Sequence, residues 1–136
     1  MDISQAFSHI NWLSVIVAAA SSFVIGGVWY GPLFGRAWMA EWGFTEEVLA
    51  KRNMSIVFGG SLALALLASL NLAMFLGAET SLIYGATAGF FAGLGWVSMF
   101  LGILYLFEMR SLKLFSINAG YCTLSLTIMG AILGAW

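Results

Sequence analysis

Charge is what this chain has least of. Five Lys or Arg and six Asp or Glu are spread over 136 residues, 8% in all. Ile3–Gly35, Asn53–Ala78, Thr80–Phe107 and Leu114–Trp136 contain no acidic or basic side chain. Ionisable groups held at depth in a bilayer are costly and mark ion pathways or chemistry, and this chain offers none. That lack argues against a proton-coupled transporter or an intramembrane hydrolase, and the sequence reads as non-enzymatic, with no catalytic residues. Cysteine is limited to Cys122, which excludes an internal disulfide and a thiolate metal cluster within one chain. Histidine is limited to His9, which has no Cys, His or carboxylate close in sequence and reads as a polar boundary residue rather than a metal or pigment ligand. Phosphate loops, nucleophile elbows and basic nucleic-acid patches are missing too, so neither a nucleic acid nor a cofactor is expected. Proline occurs once, as Pro32.

What fills the chain is apolar. Hydrophobic residues make up 62% of it and the mean hydropathy is +0.98, far from ordinary soluble usage. A hydrocarbon core of about 30 Å needs roughly 20 apolar residues of helix, and each uncharged stretch supplies them. Runs such as Leu62-Ala63-Leu64-Ala65-Leu66-Leu67-Ala68 are apolar on every side, whereas barrel strands alternate. Helices are then the way to satisfy the backbone inside lipid. The sequence predicts an all-α polytopic membrane protein forming one domain, with spans over 11–30, 54–76, 81–107 and 114–135. Gly31-Pro32 is expected to stop the first span. That span lacks a basic leader and runs past the length of a secretion signal, so it reads as retained.

The cations set the expected orientation. Arg36, Lys51 and Arg52 lie in the first connection, Arg110 and Lys113 in the third, and the second connection and both chain ends have none. The positive-inside rule places segments 31–53 and 108–113 in the cytoplasm and both termini outside, in the inner (plasma) membrane. Trp29, Tyr30, Pro32, Trp38 and Trp42 cluster at the inner boundary and read as interfacial anchors. Thr45 before Glu46 and Glu47 reads as a helix cap, so segment 31–53 is expected to carry a short interfacial helix.

Asn11-Trp12, the run Trp29-Tyr30-Gly31-Pro32-Leu33-Phe34-Gly35, Trp38, the glycine-rich third span with Trp96, and Gly120-Tyr121 together resemble a bacterial family of small membrane proteins called "domain of unknown function 1761". The resemblance implies a four-helix membrane protein of about this length. It brings no catalytic or ligand residues with it.

Small residues are the most telling feature within the spans. Gly85, Gly89 and Gly93 recur every fourth residue in the third, Gly130 and Gly134 in the fourth, and Gly59 lies between Ser55 and Ala63 in the second. Such spacing lets helix backbones approach closely, either within one bundle or against a partner chain. Apart from Asn11 at the start of the first, Asn71 and Asn118 are the only amides in the expected spans, and Trp96 lies mid-span. All three are candidates for a buried polar contact or for a pocket. The function these features favour is a scaffold or accessory subunit, self-associating or joined to a larger membrane complex, with membrane lipids around it. The alternative is an oligomeric carrier or pore for a neutral or lipophilic solute along the amides and hydroxyls.

Overall fold

A computed structural model describes residues 2–136. Among them the chain is all-helical, in seven helices: α1 (Ile3–Ser8), α2 (Trp12–Leu33), α3 (Gly35–Trp42), α4 (Glu46–Ala50), α5 (Met54–Leu76), α6 (Leu82–Phe107) and α7 (Leu112–Ala135). Four of these, α2, α5, α6 and α7, are long and apolar enough to cross a membrane, with 22, 23, 26 and 24 residues. At about 1.5 Å of rise per residue each covers the hydrocarbon thickness.

Polar side chains mark where each span begins. The Asn11 side chain accepts from the Leu13 and Ser14 amides, both at 3.1 Å, and Asn53 accepts from Ser55 and Ile56 at 3.1 and 3.3 Å. The Ser81 and Ser111 hydroxyls accept from Tyr84 and Leu114 at 3.2 and 3.0 Å. Each cap satisfies amides that have no partner within the helix.

The first span departs from the reading that Gly31-Pro32 stops it. The helix continues to Leu33 through a π turn over Trp29–Leu33, closed by the Phe34 amide donating to the Trp29 carbonyl at 2.8 Å. A widened turn gives the proline ring room, and the amide that Pro32 lacks is one fewer to satisfy. α3, a helix within 31–53 beyond the one expected, follows almost directly and ends at Gly43, which takes the left-handed conformation at φ 72°. Thr45 then caps α4 through its hydroxyl, 3.2 Å from the Val48 amide. A second π turn, Ala92–Ser98, interrupts the third span.

The spans run up and down, so the ends of the bundle differ. At one end α3 meets the turn before α7: the Ser111 hydroxyl donates to Glu41 at 2.7 Å, and the Arg110 guanidinium lies 3.9 Å from the centre of the Trp42 ring. At the other end His9, Asn11, Gly77, Thr80 and Trp136 surround one small hollow. The connections that carry the cations therefore share an end, and the two chain ends share the opposite one.

α7 is the hub, packing against α2, α5 and α6 and also touching α3. Its contact with α6 is backbone on backbone. A Cβ built on Gly85 would run into the Gly130 carbonyl, one on Gly89 into the Leu126 carbonyl, one on Gly130 into the Gly85 carbonyl and one on Gly134 into the Ser81 carbonyl. The Cα hydrogens of these glycines therefore face carbonyl oxygens, the weak contact typical of close helix pairs. α5 by contrast leans chiefly on α2. The Ser69 hydroxyl, wholly buried, donates to the Val15 carbonyl at 2.9 Å, and Val15, Ala18, Leu72, Leu76, Met129 and Leu133 form the apolar core nearby. The outer faces stay apolar: Ile56 is 70% exposed and Leu64 69%, as lipid contact requires.

Candidate functional site

Three features of the bundle have the chemistry to do more than hold it together: a polar network on α7, a groove between α5 and α6, and an open cavity bordered by α2, α5 and α7.

The network begins at the π turn of the first span. The Trp29 indole N–H donates to the Ile117 carbonyl at 2.8 Å, and its ring covers Gly120, where a Cβ would lie 2.7 Å from Trp29 Cζ2. The next residue, Tyr30, donates its hydroxyl to Asn118 Oδ1 at 2.6 Å. Asn118 Nδ2 in turn donates to the Tyr105 hydroxyl at 2.7 Å, so one amide joins three spans. Tyr121 stands edge-on to Tyr30 with ring centres 5.2 Å apart and donates to the Ser22 carbonyl at 3.1 Å. The anchor cluster therefore divides. Trp29 and Tyr30 turn inward to dock α7, so contacts between helices satisfy their polar edges. Trp38 packs its edge on Tyr30 at 5.8 Å, Trp42 stacks on Phe44 at 5.5 Å, and Pro32 is exposed.

Deeper along α6, the second π turn is held by Ser98. Its hydroxyl, wholly buried, lies 2.7 Å from the Gly93 carbonyl, 3.3 Å from the Ala119 carbonyl and 3.1 Å from the Thr123 hydroxyl. Gly93 is consumed at the same contact, since a Cβ there would lie 2.7 Å from Thr123 Cα. Gly85, Gly89, Gly93, Gly130 and Gly134 thus serve the α6–α7 seam. Gly59 does not: nothing lies within 4 Å of a Cβ built there.

Of the two places expected for them, a buried contact or a pocket, Asn71 and Trp96 are exposed and border a pocket. Both line a groove of about 590 Å³ between α5 and α6, together with Phe75, Tyr84 and Phe91. Trp96 is 63% exposed, its ring edge-on to Phe75 at 6.3 Å. Among the described residues the Asn71 amide has no hydrogen-bond partner. Asn71 and Asn118 do not share a cavity, so the two amides do not line one path.

A family model described as "Protein of unknown function (DUF1761)" matches residues 13–134. The chain belongs to this family. No curated protein and no solved structure matches it. The match takes in the π-turn aromatics, the glycine seam and the whole Tyr30–Asn118–Tyr105 network of this DUF1761 protein, while Asn11 and Trp12 fall just before it.

Two contributors to these sites were invisible to sequence reasoning. Tyr105 was one apolar-span aromatic among many, and the Glu41–Ser111 pairing joins residues 70 positions apart. A usable signal did exist for the first: a buried amide wants partners, and the tyrosines are the side chains in neighbouring spans able to supply them. Among the described residues no three His, Cys, Asp or Glu side chains converge as metal ligands.

Proposed function

We propose that this DUF1761 protein is a non-enzymatic scaffold or accessory subunit of the inner membrane, which associates laterally through the groove between α5 and α6 with a second copy or with a larger membrane complex. The observation that carries this reading is Asn71, an amide facing lipid without a partner beside the exposed indole of Trp96. Polar side chains facing hydrocarbon gain from a bond across a helix–helix contact, by roughly 1 kcal/mol. The cation-bearing end is assigned to the cytoplasm by the positive-inside rule, with both termini on the opposite side. The carrier or pore reading lacks comparable support, because the amides expected along its path face different parts of the bundle.

Native mass measurement after extraction in mild detergent tests the proposal. The expected species is heavier than the 14.7 kDa chain with its bound detergent, and Asn71→Leu together with Trp96→Ala shifts it to the single chain. A wild-type protein that is monomeric and has no companion overturns it.

A further inference from the structure

A second cavity, open at one side, is distinct from the α5–α6 groove. It occupies about 770 Å³ between α2, α5 and α7, within the range of roughly 300–1,000 Å³ typical of small-molecule sites. Its origin is a wedge. Ser69, Leu72 and Leu76 hold the C-terminal half of α5 tightly to α2, while the N-terminal half, from Val57 to Ala68, stands off and bounds open space. Across that space α2 presents Gly26 and Gly27 in place of side chains, and a Cβ built on Gly27 would meet nothing within 4 Å. Phe23 and Phe58, with ring centres 6.5 Å apart, stand at the side where the two helices part.

The lining sets the chemistry of an occupant. No Asp, Glu, Lys, Arg or His borders the cavity, so a charged group inside would lack compensation in a low-dielectric setting. Most of the polar groups at the wall are already committed: Ser22 donates to the Ala19 carbonyl at 2.7 Å, Tyr121 to Ser22, and Tyr30 to Asn118. Ser125 is the exception. It belongs to the wall and is only 5% exposed, and its hydroxyl has no hydrogen-bond partner. Serines within helices usually bond a carbonyl of the preceding turn, as Ser22 does, and a buried hydroxyl left unpaired costs about 1–3 kcal/mol. Ser61, on the facing side of α5, adds a second hydroxyl at the wall.

We infer that this cavity is a binding site for a neutral lipophilic molecule with an apolar body and a carbonyl or hydroxyl oxygen, which partners Ser125. A ring compound of the quinone type and a neutral acyl lipid share that chemistry.

Cys122, the only thiol in the chain, borders the same cavity and is partly buried, so its alkylation reports occupancy. The protein in phosphatidylcholine nanodiscs is treated with N-ethylmaleimide alone, or with decylubiquinone, monoolein, oleate or dodecane present. The Asn71→Leu variant is run in parallel, so that loss of lateral association and loss of ligand binding read out separately. The expected result is that decylubiquinone or monoolein slows Cys122 alkylation at least fivefold, the one that does so identifying the source, while oleate and dodecane have little effect. Ser125→Ala raises the concentration needed by about fivefold to tenfold, as for loss of one hydrogen bond. Ala65→Phe, which fills the space from α5, removes the protection in protein whose thermal transition is retained. The inference is overturned if neither oxygen-bearing probe protects, if dodecane or oleate protects equally well, or if protection is unchanged in Ala65→Phe.

Discussion

Replacing Gly89 by alanine adds one methyl group at the tightest helix contact in the protein. That methyl would lie 2.7 Å from the Leu126 carbonyl carbon and 3.1 Å from Thr127 Cα, where ordinary carbon contacts need about 3.5–4.0 Å. Both obstacles are backbone, so no side chain can rotate away and α6 and α7 must part by about 1 Å. A gap of that size forfeits a quarter to a half of each dispersion contact along the seam. Overpacking of this kind costs about 1–3 kcal/mol, and the rigid obstacles put Gly89→Ala at the upper end, roughly a hundredfold in the folded-to-unfolded ratio. Gly60→Ala is the control, since a Cβ there meets nothing within 4 Å, and it should change stability by less than about 0.5 kcal/mol. Gly85→Ala combined with Gly89→Ala should cost less than the sum of the two, because a single parting of the helices relieves both clashes. Reversible unfolding in bicelles by steric trapping measures all four proteins on one scale. Equal stability of Gly89→Ala and Gly60→Ala would refute the backbone-on-backbone seam.

Other outcomes follow from the same contacts. Tyr30→Phe should lose about 1 kcal/mol or less in the same assay, and Asn118→Leu more, because it strands the Tyr30 and Tyr105 hydroxyls together; additive effects of the two changes would show that no network exists. Gly120→Ala should displace the Trp29 indole, whose ring leaves no room for a Cβ, and shift its fluorescence relative to wild type. Water-soluble thiol reagents applied to intact cells should reach a cysteine placed at Glu79 but not one at Arg110 in a Cys122→Ala background; labelling of both, or only of the second, contradicts the proposed orientation. The Asp2 carboxylate accepts from the Ser4 hydroxyl and from the Ser4 amide, capping α1, and these bonds, the hydroxyl's first, hold its pKa below the usual carboxylate value. A carboxyl with a lowered folded-state pKa stabilises the cap fully above its unfolded value of 3.8 and loses that contribution as pH falls through the lower, folded one. Amide exchange at Ser4 should therefore accelerate in that acid window in the wild type, and show no such step in Asp2→Asn, which caps without titrating.

The four spans were legible because lipid imposes length and charge exclusion on any helix that crosses it, and the second span was placed from Met54 to Leu76 to the residue. Caps at Asn11 and Thr45 were legible for a local reason: a short polar side chain ahead of a helical run bonds the first free amides. Rotation was not legible. On α5 and α7 the apolar residues favour no one side, so nothing in composition tells which side of either faces protein and which faces lipid. The sequence accordingly left open whether Trp96 borders a pocket, as it does, and did not show that Trp29 faces α7. The π turn at Trp29–Leu33 was equally hidden, because Gly31-Pro32 is a stop signal in water and here is absorbed by one widened turn. The glycine stripes were visible as stripes, but several had similar spacing, and only the geometry shows Gly85 and Gly89 taken by α7 while Gly59 is left free.

The dependence of every other span on α7 also has a consequence for biosynthesis. A nascent chain leaves the ribosome from its amino end, so α2, α5 and α6 enter the bilayer before the helix that organises them exists. α5 and α6 barely touch each other, and until Gly130 and Gly134 arrive the glycine face of α6 has nothing to grip. α2 and α5 can pair as soon as both are inserted, through Ser69 and Val15, but the docking of α6 is deferred until α7 follows, and a polypeptide interrupted within α7 would leave α6 exposed to quality-control proteolysis.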